Sequence, residues 1–280
     1  MKEIKFSIPN ISKKDVNLVS KIIKSGWLTH GKYTLLFEKE IKKFTKAKFA
    51  VSVSSCTAGL HISCLASGFK KGDEVIVPAQ THTATAHAVE YTGATTIFAD
   101  VDYPSGNMSL EEIKKKVTKK TKGVILVHMA GYPCEMEKIT RFCKKRKIIV
   151  LEDCAHALGT YFKGVHAGNF GISGSFSFYP TKQITTGEGG IVITNNEKFY
   201  KKIKKLKAFG IDKGLTKGSA LYNMGTSYAE LESYENAIHC FNQSFGKDVG
   251  EPLSGENKKR AKEQIRRCKI LLKEQKKNAA

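Results

Sequence analysis

The sequence predicts an α/β protein with three layers, in which helices cover both faces of a mostly parallel β-sheet. Between residues 50 and 207, short apolar runs alternate with longer runs of helical spacing. The short runs are apolar throughout, which is typical of strands buried on both faces of a parallel sheet. After residue 212 the alternation ends, and a short all-α appendage is predicted over residues 213–280.

The apolar runs are the predicted strands, and they cover residues 50–53, 74–77, 95–99, 123–128, 148–152, 174–178 and 190–194. Helical patterns lie between most of them, at residues 57–67, 83–92, 109–117 and 135–147. The last two strands are joined by a loop without a helix, so one of them is expected to run antiparallel. Two more helices are predicted before the sheet, from the spacing of Val16, Val19 and Ile23 and of Phe37, Ile41 and Phe44.

Length and composition indicate an ordinary globular protein. The chain has 280 residues, of which 41% are hydrophobic and 26% are charged, and this length allows about two domains. No stretch approaches the roughly 20 apolar residues of a membrane-spanning helix. Residues 1–7 contain no apolar signal-peptide core. We therefore predict a cytoplasmic protein without a membrane span.

The formal net charge of +21 raises the question of a nucleic-acid partner. A basic chain can bind nucleic acid or another anionic surface. The excess, however, is mostly lysine spread over helical stretches such as 114–120 and 201–207, and no nucleic-acid motif is present. Solvated helix faces explain this charge better, so no nucleic-acid partner is predicted.

The cysteines indicate neither a disulfide framework nor a zinc site. The chain has seven, an odd number, at irregular spacing and without a Cys-x-x-Cys pair. Reduced, partly buried thiols are expected, and no metal site is predicted.

One lysine and one aspartate carry the predicted chemistry. Lys182 follows a short aromatic strand and a turn, precedes a glycine-rich return, and lies outside the lysine-rich helical stretches. Asp153 ends an apolar strand, where open α/β sheets bind their ligands. A Schiff-base lysine and an acidic partner for a pyridinium nitrogen are the minimum set for pyridoxal phosphate chemistry. Taken singly, the two could be a surface lysine and an aspartate that caps a turn.

Five other residues complete an ordered set of candidates, and three of them have an ordinary alternative. Cys56 and Thr57 open a helix after a strand, where free amides bind phosphate, although Thr57 could equally be a helix N-cap. His82 could lie on a cofactor ring or be a polar loop histidine. His156 could bond the phenolic oxygen of the cofactor. Ser177 could bond its phosphate or be an ordinary strand serine.

Over residues 1 to about 212, the chain resembles the DegT/StrS-type nucleotide-sugar aminotransferases. The stretches that carry the resemblance are residues 26–31, 54–60, 72–78, 91–94, 152–156 and 175–190. The resemblance implies the fold of aspartate aminotransferase, a large domain over residues 1–212, pyridoxal 5'-phosphate as cofactor and a homodimer. Some relatives replace the lysine by histidine and are dehydratases, whereas Lys182 retains the aminotransferase form.

The resemblance also implies a role for each candidate residue. Lys182 takes the position of the Schiff-base lysine and Asp153 that of the pyridinium partner, which makes these two the implied catalytic residues. The other cofactor-binding positions are the ring-stacking position of His82, the phenolic-oxygen position of His156, and the phosphate positions of Cys56, Thr57 and Ser177.

The implied reaction is transfer of an amino group to a keto sugar carried on a nucleotide. An amino acid is the donor, with glutamate expected, and the product would serve cell-surface polysaccharide, such as lipopolysaccharide, or amino-sugar biosynthesis. The alternative is a catalytically impaired family member, truncated or fused, that acts as a protein-interaction module.

From residue 213 the sequence departs from the family, whose members continue into a smaller C-terminal domain that helps to complete the pocket. On that ground a poor or inactive aminotransferase is expected. Residues 219–250 instead have the spacing of one tetratricopeptide repeat, carried by Met224, Gly225, Tyr228, Ala237 and Phe241. A lone repeat cannot bury its own face, so a protein partner is an option here. Residues 257–277 are predicted to form a basic helix with an apolar stripe at Ala261, Ile265, Cys268 and Leu272.

Overall fold

The computed structural model describes residues 8–26, 28, 31–207, 229, 234–244 and 255–278. The chain divides into two compact units, Met1–Lys207 and Ala208–Ala280. The predicted boundary at residues 212 and 213 lies outside the described residues, and so do the repeat positions Met224, Gly225 and Tyr228. The tetratricopeptide repeat therefore stays a prediction.

A seven-stranded sheet forms the centre of the first unit. Its strands are β1 (Phe49–Val53), β2 (Glu74–Pro78), β3 (Thr95–Ala99), β4 (Thr121–Val127), β5 (Ile149–Asp153), β8 (Ser173–Ser177) and β9 (Gly190–Thr194). They lie in the order β1-β9-β8-β5-β4-β2-β3. Strand β9 runs antiparallel to both of its neighbours, and the other adjacent pairs are parallel. The prediction of a mostly parallel sheet in which one of the last two strands of the chain runs antiparallel is confirmed.

The helices of this unit are α1 (Lys13–Lys24), α2 (Lys32–Thr45), α3 (Cys56–Ser67), α4 (Thr83–Glu90), α5 (Leu110–Lys116), α6 (Met136–Lys145) and α7 (Glu197–Lys207). They cover both faces of the sheet because successive strand side chains point to opposite sides. On one face, Val77, Ile125 and Leu151 form a core with residues of α3, α4 and α7. On the other, Ile76 and Val124 pack with residues of α5 and α6, and α2 packs over β8 and β9. The three-layer α/β fold class is confirmed.

One detail of the first unit differs from the predictions, and another adds to them. A small hairpin of β6 (Tyr161–Phe162) and β7 (Val165–His166) was not predicted. Helix α1 forms as predicted, but Val16, Val19 and Ile23 are 55%, 55% and 59% exposed. Among the described residues nothing buries this apolar face.

The second unit contains two described helices, α8 (Tyr234–Gln243) and α9 (Gly255–Asn278). Ala261, Ile265 and Cys268 of the predicted stripe are buried, and they form one apolar cluster with Ala237 and Phe241 of α8. An ion pair also joins the helices, since Lys276 Nζ lies 2.7 Å from Glu235 Oε1. Helix α9 therefore buries these three residues of its stripe against α8, whereas Leu272 is half-buried.

All seven cysteines are buried free thiols. Within the part of the chain that the structure describes, no helix combines the length and the apolar character that a membrane crossing requires.

Candidate active site

A cavity of about 510 Å³ lies at the carboxyl-terminal edge of the sheet, among the loops that follow β1, β2, β4, β5 and β8. This is the edge at which open α/β sheets bind ligands. All seven residues singled out in the sequence line this one cavity: Cys56, Thr57, His82, Asp153, His156, Ser177 and Lys182.

The first wall of the cavity is the amino-terminal end of α3. Ser55 is the N-cap, and its hydroxyl accepts a hydrogen bond of 3.1 Å from the amide of Ala58. The alternative that Thr57 caps the helix is therefore wrong, because Thr57 is the second helical residue. Among the described residues, the amides of Cys56 and Thr57 have no acceptor. These amides carry the positive end of the helix dipole toward the cavity.

Gly190, the first residue of β9, allows this wall to lie close to the sheet. A Cβ atom at Gly190 would stand 2.4 Å from the carbonyl carbon of Ser55. Any side chain there would push the turn at Ser55 and Cys56 away from the sheet, so the glycine sets the position of the helix terminus.

The thiol and the amide of Cys56 have different surroundings. Its Sγ lies 3.3 Å from the carbonyl oxygen of Ser175 and 3.7 Å from Asp153 Oδ1. Burial, with the nearby charge of Asp153, raises the pKa of the Cys56 thiol well above its ordinary value. The thiol is therefore neutral, and the amide of Cys56 is the group that can bind an anion.

Asp153 ends β5 and is only 4% exposed. The hydroxyl of Thr85 donates to Asp153 Oδ2 at 2.8 Å, and the amide of Ala155 donates to Oδ1 at 3.1 Å. A buried carboxylate with donors on both oxygens has a defined orientation, and it keeps further acceptor capacity because each oxygen offers two lone pairs. Thr85 was not among the predicted site residues.

The two histidines lie on different loops of the cavity. His82 is exposed and is the N-cap of α4, where its Nδ1 accepts a hydrogen bond of 3.2 Å from the amide of Ala84. His156 is half-buried, and burial, followed by the positive charge of Lys182, lowers its pKa. His156 is thus a neutral imidazole near neutral pH, with one nitrogen that donates a hydrogen bond and one that accepts.

Lys182 lies in the loop between β8 and β9, and its amide donates to the carbonyl of Tyr179 at 3.0 Å. The next residue, Gln183, donates from Nε2 to the carbonyl of His156 at 2.5 Å. This bond joins the lysine loop to the loop that follows Asp153. Beside them, the Ser177 hydroxyl accepts from the amide of Tyr179 at 3.3 Å. Gln183 was not among the predicted site residues. Thr81 and Glu188, which line the cavity, were not predicted either.

Glu152 precedes Asp153 on β5 and points to the opposite face of the sheet. Its Oε1 accepts from the amides of Phe170 and Gly171 at 2.8 and 2.6 Å. Its Oε2 accepts from the amide of Gly168 at 2.7 Å and lies 3.0 Å from His128 Nε2. The amide of Cys134 donates to His128 Nδ1, so the proton of the imidazole lies on Nε2 and is donated to Glu152.

His128, Glu152 and Cys154 offer atoms within 4.8 Å of one another, an arrangement in which a metal could be held. However, both oxygens of Glu152 and both ring nitrogens of His128 are used in hydrogen bonds. Burial also raises the pKa of the Cys154 thiol to about 12, which disfavours the thiolate that metals prefer. We interpret the cluster as a structural network and assign no metal to it.

We expect Glu152→Gln to lower the free energy of unfolding by about 2–4 kcal/mol, because an amide nitrogen would face buried donors without an acceptor. The measurement is urea denaturation followed by far-UV circular dichroism. Glu137→Gln is the matched control, because Glu137 forms exposed ion pairs with Arg141 and Lys163. Its effect should stay within about 0.5 kcal/mol. Equal stability of the two variants would contradict the assigned role of Glu152.

Comparison with known proteins places this site in a family context. The sequence profile of the DegT/DnrJ/EryC1/StrS aminotransferase family matches residues 9–238. The chain is 41% identical to the GDP-perosamine synthase of Escherichia coli O157:H7 over 212 residues, which cover 75% of this chain and 58% of that protein. It is 38% identical to the spore coat polysaccharide biosynthesis protein SpsC of Bacillus subtilis over 236 residues, or 84% of this chain and 60% of SpsC.

The comparison with solved structures agrees with this family match. The PLP form of Spr1654 from Streptococcus pneumoniae superposes with a TM-score of 0.68 at 31% identity, covering 72% of this chain and 57% of that one. The same protein has also been solved in a PMP form. The chain thus spans 57–60% of the length of these three proteins.

Proposed function

Because the chain belongs to the DegT/DnrJ/EryC1/StrS aminotransferase family, we propose that its cavity holds pyridoxal 5'-phosphate and that it transfers an amino group to a nucleotide-linked keto sugar. The single observation that carries this proposal is the meeting of Lys182, Asp153 and the amino-terminal turn of α3 in one cavity. Aminotransferases of this family use pyridoxal phosphate.

The residues present fit this cofactor on three counts. The acceptor-free amides of Cys56 and Thr57 suit a phosphate group at a helix terminus. Asp153 is a buried carboxylate whose hydrogen bonds from Thr85 and Ala155 set its orientation and leave lone pairs for a ring nitrogen. Lys182 supplies a primary amine in the same cavity.

When bound, the cofactor supplies an electron sink for the carbon that loses its proton. Lys182 Nζ would attach the cofactor covalently and, once displaced, would carry a proton to and from the reacting carbon. Asp153 would hold the proton on the ring nitrogen through a charge-assisted hydrogen bond. His82 would lie on the ring, neutral His156 would bond the phenolic oxygen, and Ser177 would add a donor to the phosphate.

The relatives support the proposed substrate class. One is a GDP-perosamine synthase and another is a spore coat polysaccharide biosynthesis protein, which supports a nucleotide sugar as amino acceptor and a place in polysaccharide biosynthesis. Glutamate is the proposed donor. A cytoplasmic homodimer and the residue roles above are further parts of the proposal and rest on the resemblance.

The alternative, a protein-interaction module built on the repeat-like segment, is not favoured. The family match runs to residue 238, past the predicted limit near residue 212 and into the segment with repeat spacing. The same residues therefore count toward the aminotransferase family.

The proposal is tested by reconstituting the chain with pyridoxal phosphate and supplying glutamate with GDP-, UDP- and dTDP-linked keto sugars in turn. The sequence predicts a poor or inactive aminotransferase, but the family match runs to residue 238. We therefore expect 2-oxoglutarate and an amino sugar in equal amounts from one nucleotide series, detected by mass spectrometry. Light scattering on the same sample reports the oligomeric state. Cofactor binding without amino transfer to any of the sugars would refute the substrate class, and absence of cofactor binding would refute the whole proposal.

A further inference from the structure

Thr85 is a buried hydroxyl residue directly behind the candidate site. It is the third residue of α4 and is 0% exposed. Its Oγ1 donates to Asp153 Oδ2 at 2.8 Å. Thr81 Oγ1 lies 2.8 Å from Thr85 Oγ1. A buried hydroxyl without partners would cost free energy, and this one has two partners, both in or beside the cavity.

The direction of these bonds follows from the proton count. A threonine hydroxyl has one hydrogen and two lone pairs, and a carboxylate oxygen only accepts. Since Thr85 gives its hydrogen to Asp153, its oxygen accepts the hydrogen of Thr81. The two hydroxyl dipoles therefore point in sequence from Thr81 to Thr85 to the carboxylate, and each bond strengthens the next.

Thr81 directly precedes His82, the N-cap of α4, and Thr85 follows His82 by three residues. The start of α4 thus carries both His82 and the hydroxyl that donates to Asp153. The opposite oxygen of Asp153 is held by the amide of Ala155, on a different segment. Donors on two separate segments determine the plane of the carboxylate.

We propose that Thr85 is the positioning residue for Asp153: its hydroxyl, supported by Thr81, sets the carboxylate orientation that a ring nitrogen requires. The donor also stabilises the negative charge of the carboxylate, since charge-assisted hydrogen bonds are stronger than neutral ones. The inference rests on the proposed function for its catalytic consequence, but the contact between Thr85 and Asp153 does not require the cofactor.

The test compares three variants of the full chain. Thr85→Val removes the hydroxyl and keeps the branched shape, whereas Thr85→Ser restores the hydroxyl. Thr45→Val is the matched control, because Thr45 is also a buried helical threonine whose hydroxyl donates, at 2.7 Å to the carbonyl of Ile41, away from the cavity. Two quantities are measured: the carboxyl ¹³C chemical shift of Asp153 in cofactor-free protein, and the rate of the glutamate half-reaction after reconstitution.

We expect Thr85→Val to displace the Asp153 resonance and to slow the half-reaction roughly 10-fold or more, the order expected for one hydrogen bond to a charged group. Thr85→Ser should recover the resonance and most of the rate, and Thr45→Val should lower thermal stability without affecting either. An unchanged resonance in Thr85→Val would overturn the proposal. Equal impairment by Val and Ser would also overturn it, because the methyl packing would then be responsible.

The two arms separate this inference from the proposed function. If the wild-type chain shows no cofactor reaction but Thr85→Val still displaces the Asp153 resonance, the proposed function fails and the positioning role of Thr85 stands. If the wild-type chain reacts and Thr85→Val leaves the Asp153 resonance in place, the positioning role of Thr85 fails and the proposed function stands.

Discussion

Lys182→Ala is expected to abolish covalent attachment of pyridoxal phosphate. In the wild-type protein, borohydride should fix the cofactor onto one peptide, the one that contains Lys182. Without this amine, proton transfer at the reacting carbon also loses its carrier, and positioned proton transfer contributes on the order of 10²–10⁴-fold to rates. The glutamate half-reaction should fall by at least that factor in single-turnover spectroscopy.

Lys198→Ala is the matched control, since Lys198 is an exposed lysine of α7. It should keep both the labelled peptide and the half-reaction rate of the wild type. Labelling of a different lysine in the wild-type protein, or retained labelling in Lys182→Ala, would contradict the assignment of Lys182.

Asp153→Asn is expected to separate cofactor binding from turnover. The amide cannot pair as an anion with a protonated ring nitrogen, and its NH₂ group would also face the donors of Thr85 or Ala155. Leaving one partner of a buried ion pair unpaired costs about 3–5 kcal/mol, which corresponds to roughly 10²–10⁴-fold in rate. Borohydride labelling of Lys182 should persist while the glutamate half-reaction slows by this factor.

Asp102→Asn, at an exposed position, controls for the loss of one negative charge. It should leave the half-reaction within about twofold of the wild type, as expected for a surface substitution. A near-normal single-turnover rate in Asp153→Asn would refute the role of Asp153 as the ring-nitrogen partner.

The sheet was predictable because strands buried on both faces read as continuous apolar runs, a signal carried by each segment alone. Predicted and observed strands agree to within two residues, as at 123–128 against Thr121–Val127. The β6–β7 hairpin gave no such signal, because strands of two residues show no periodicity. It depends instead on its turn, where Lys163 and Gly164 both adopt positive φ.

The cavity was predictable to the same extent as the strand ends. Residues that follow parallel strands meet at one edge, so the order of Cys56, His82, Asp153 and Lys182 along the chain was enough to bring them together. Thr85 was not predictable in this way, because a threonine inside a helix has many ordinary explanations. Its partner is 68 residues away, and one sequence does not reveal that contact.

Glu152 illustrates a different limit. A carboxylate in an apolar strand signals a buried partner, but three of its four donors are backbone amides of the loop before β8. Backbone amides leave no mark in the sequence, so the partner segment could not be named. The N-cap of α3 could not be identified from sequence for a related reason. Ser55 and Thr57 both suit a cap, and only the geometry of the turn separates them.

The adjacent carboxylates of β5 give this strand an unusual sensitivity to chain length. Glu152 anchors a loop on one side of the sheet, and Asp153 faces the cavity on the other. Because a strand alternates with a period of two, the loss or gain of one residue between Ile149 and Leu151 would exchange the two carboxylates between faces. The anchor and the chemical group would be disrupted together. We therefore expect a one-residue insertion or deletion in this central strand to cost the loop anchor and the cavity-facing carboxylate at the same time.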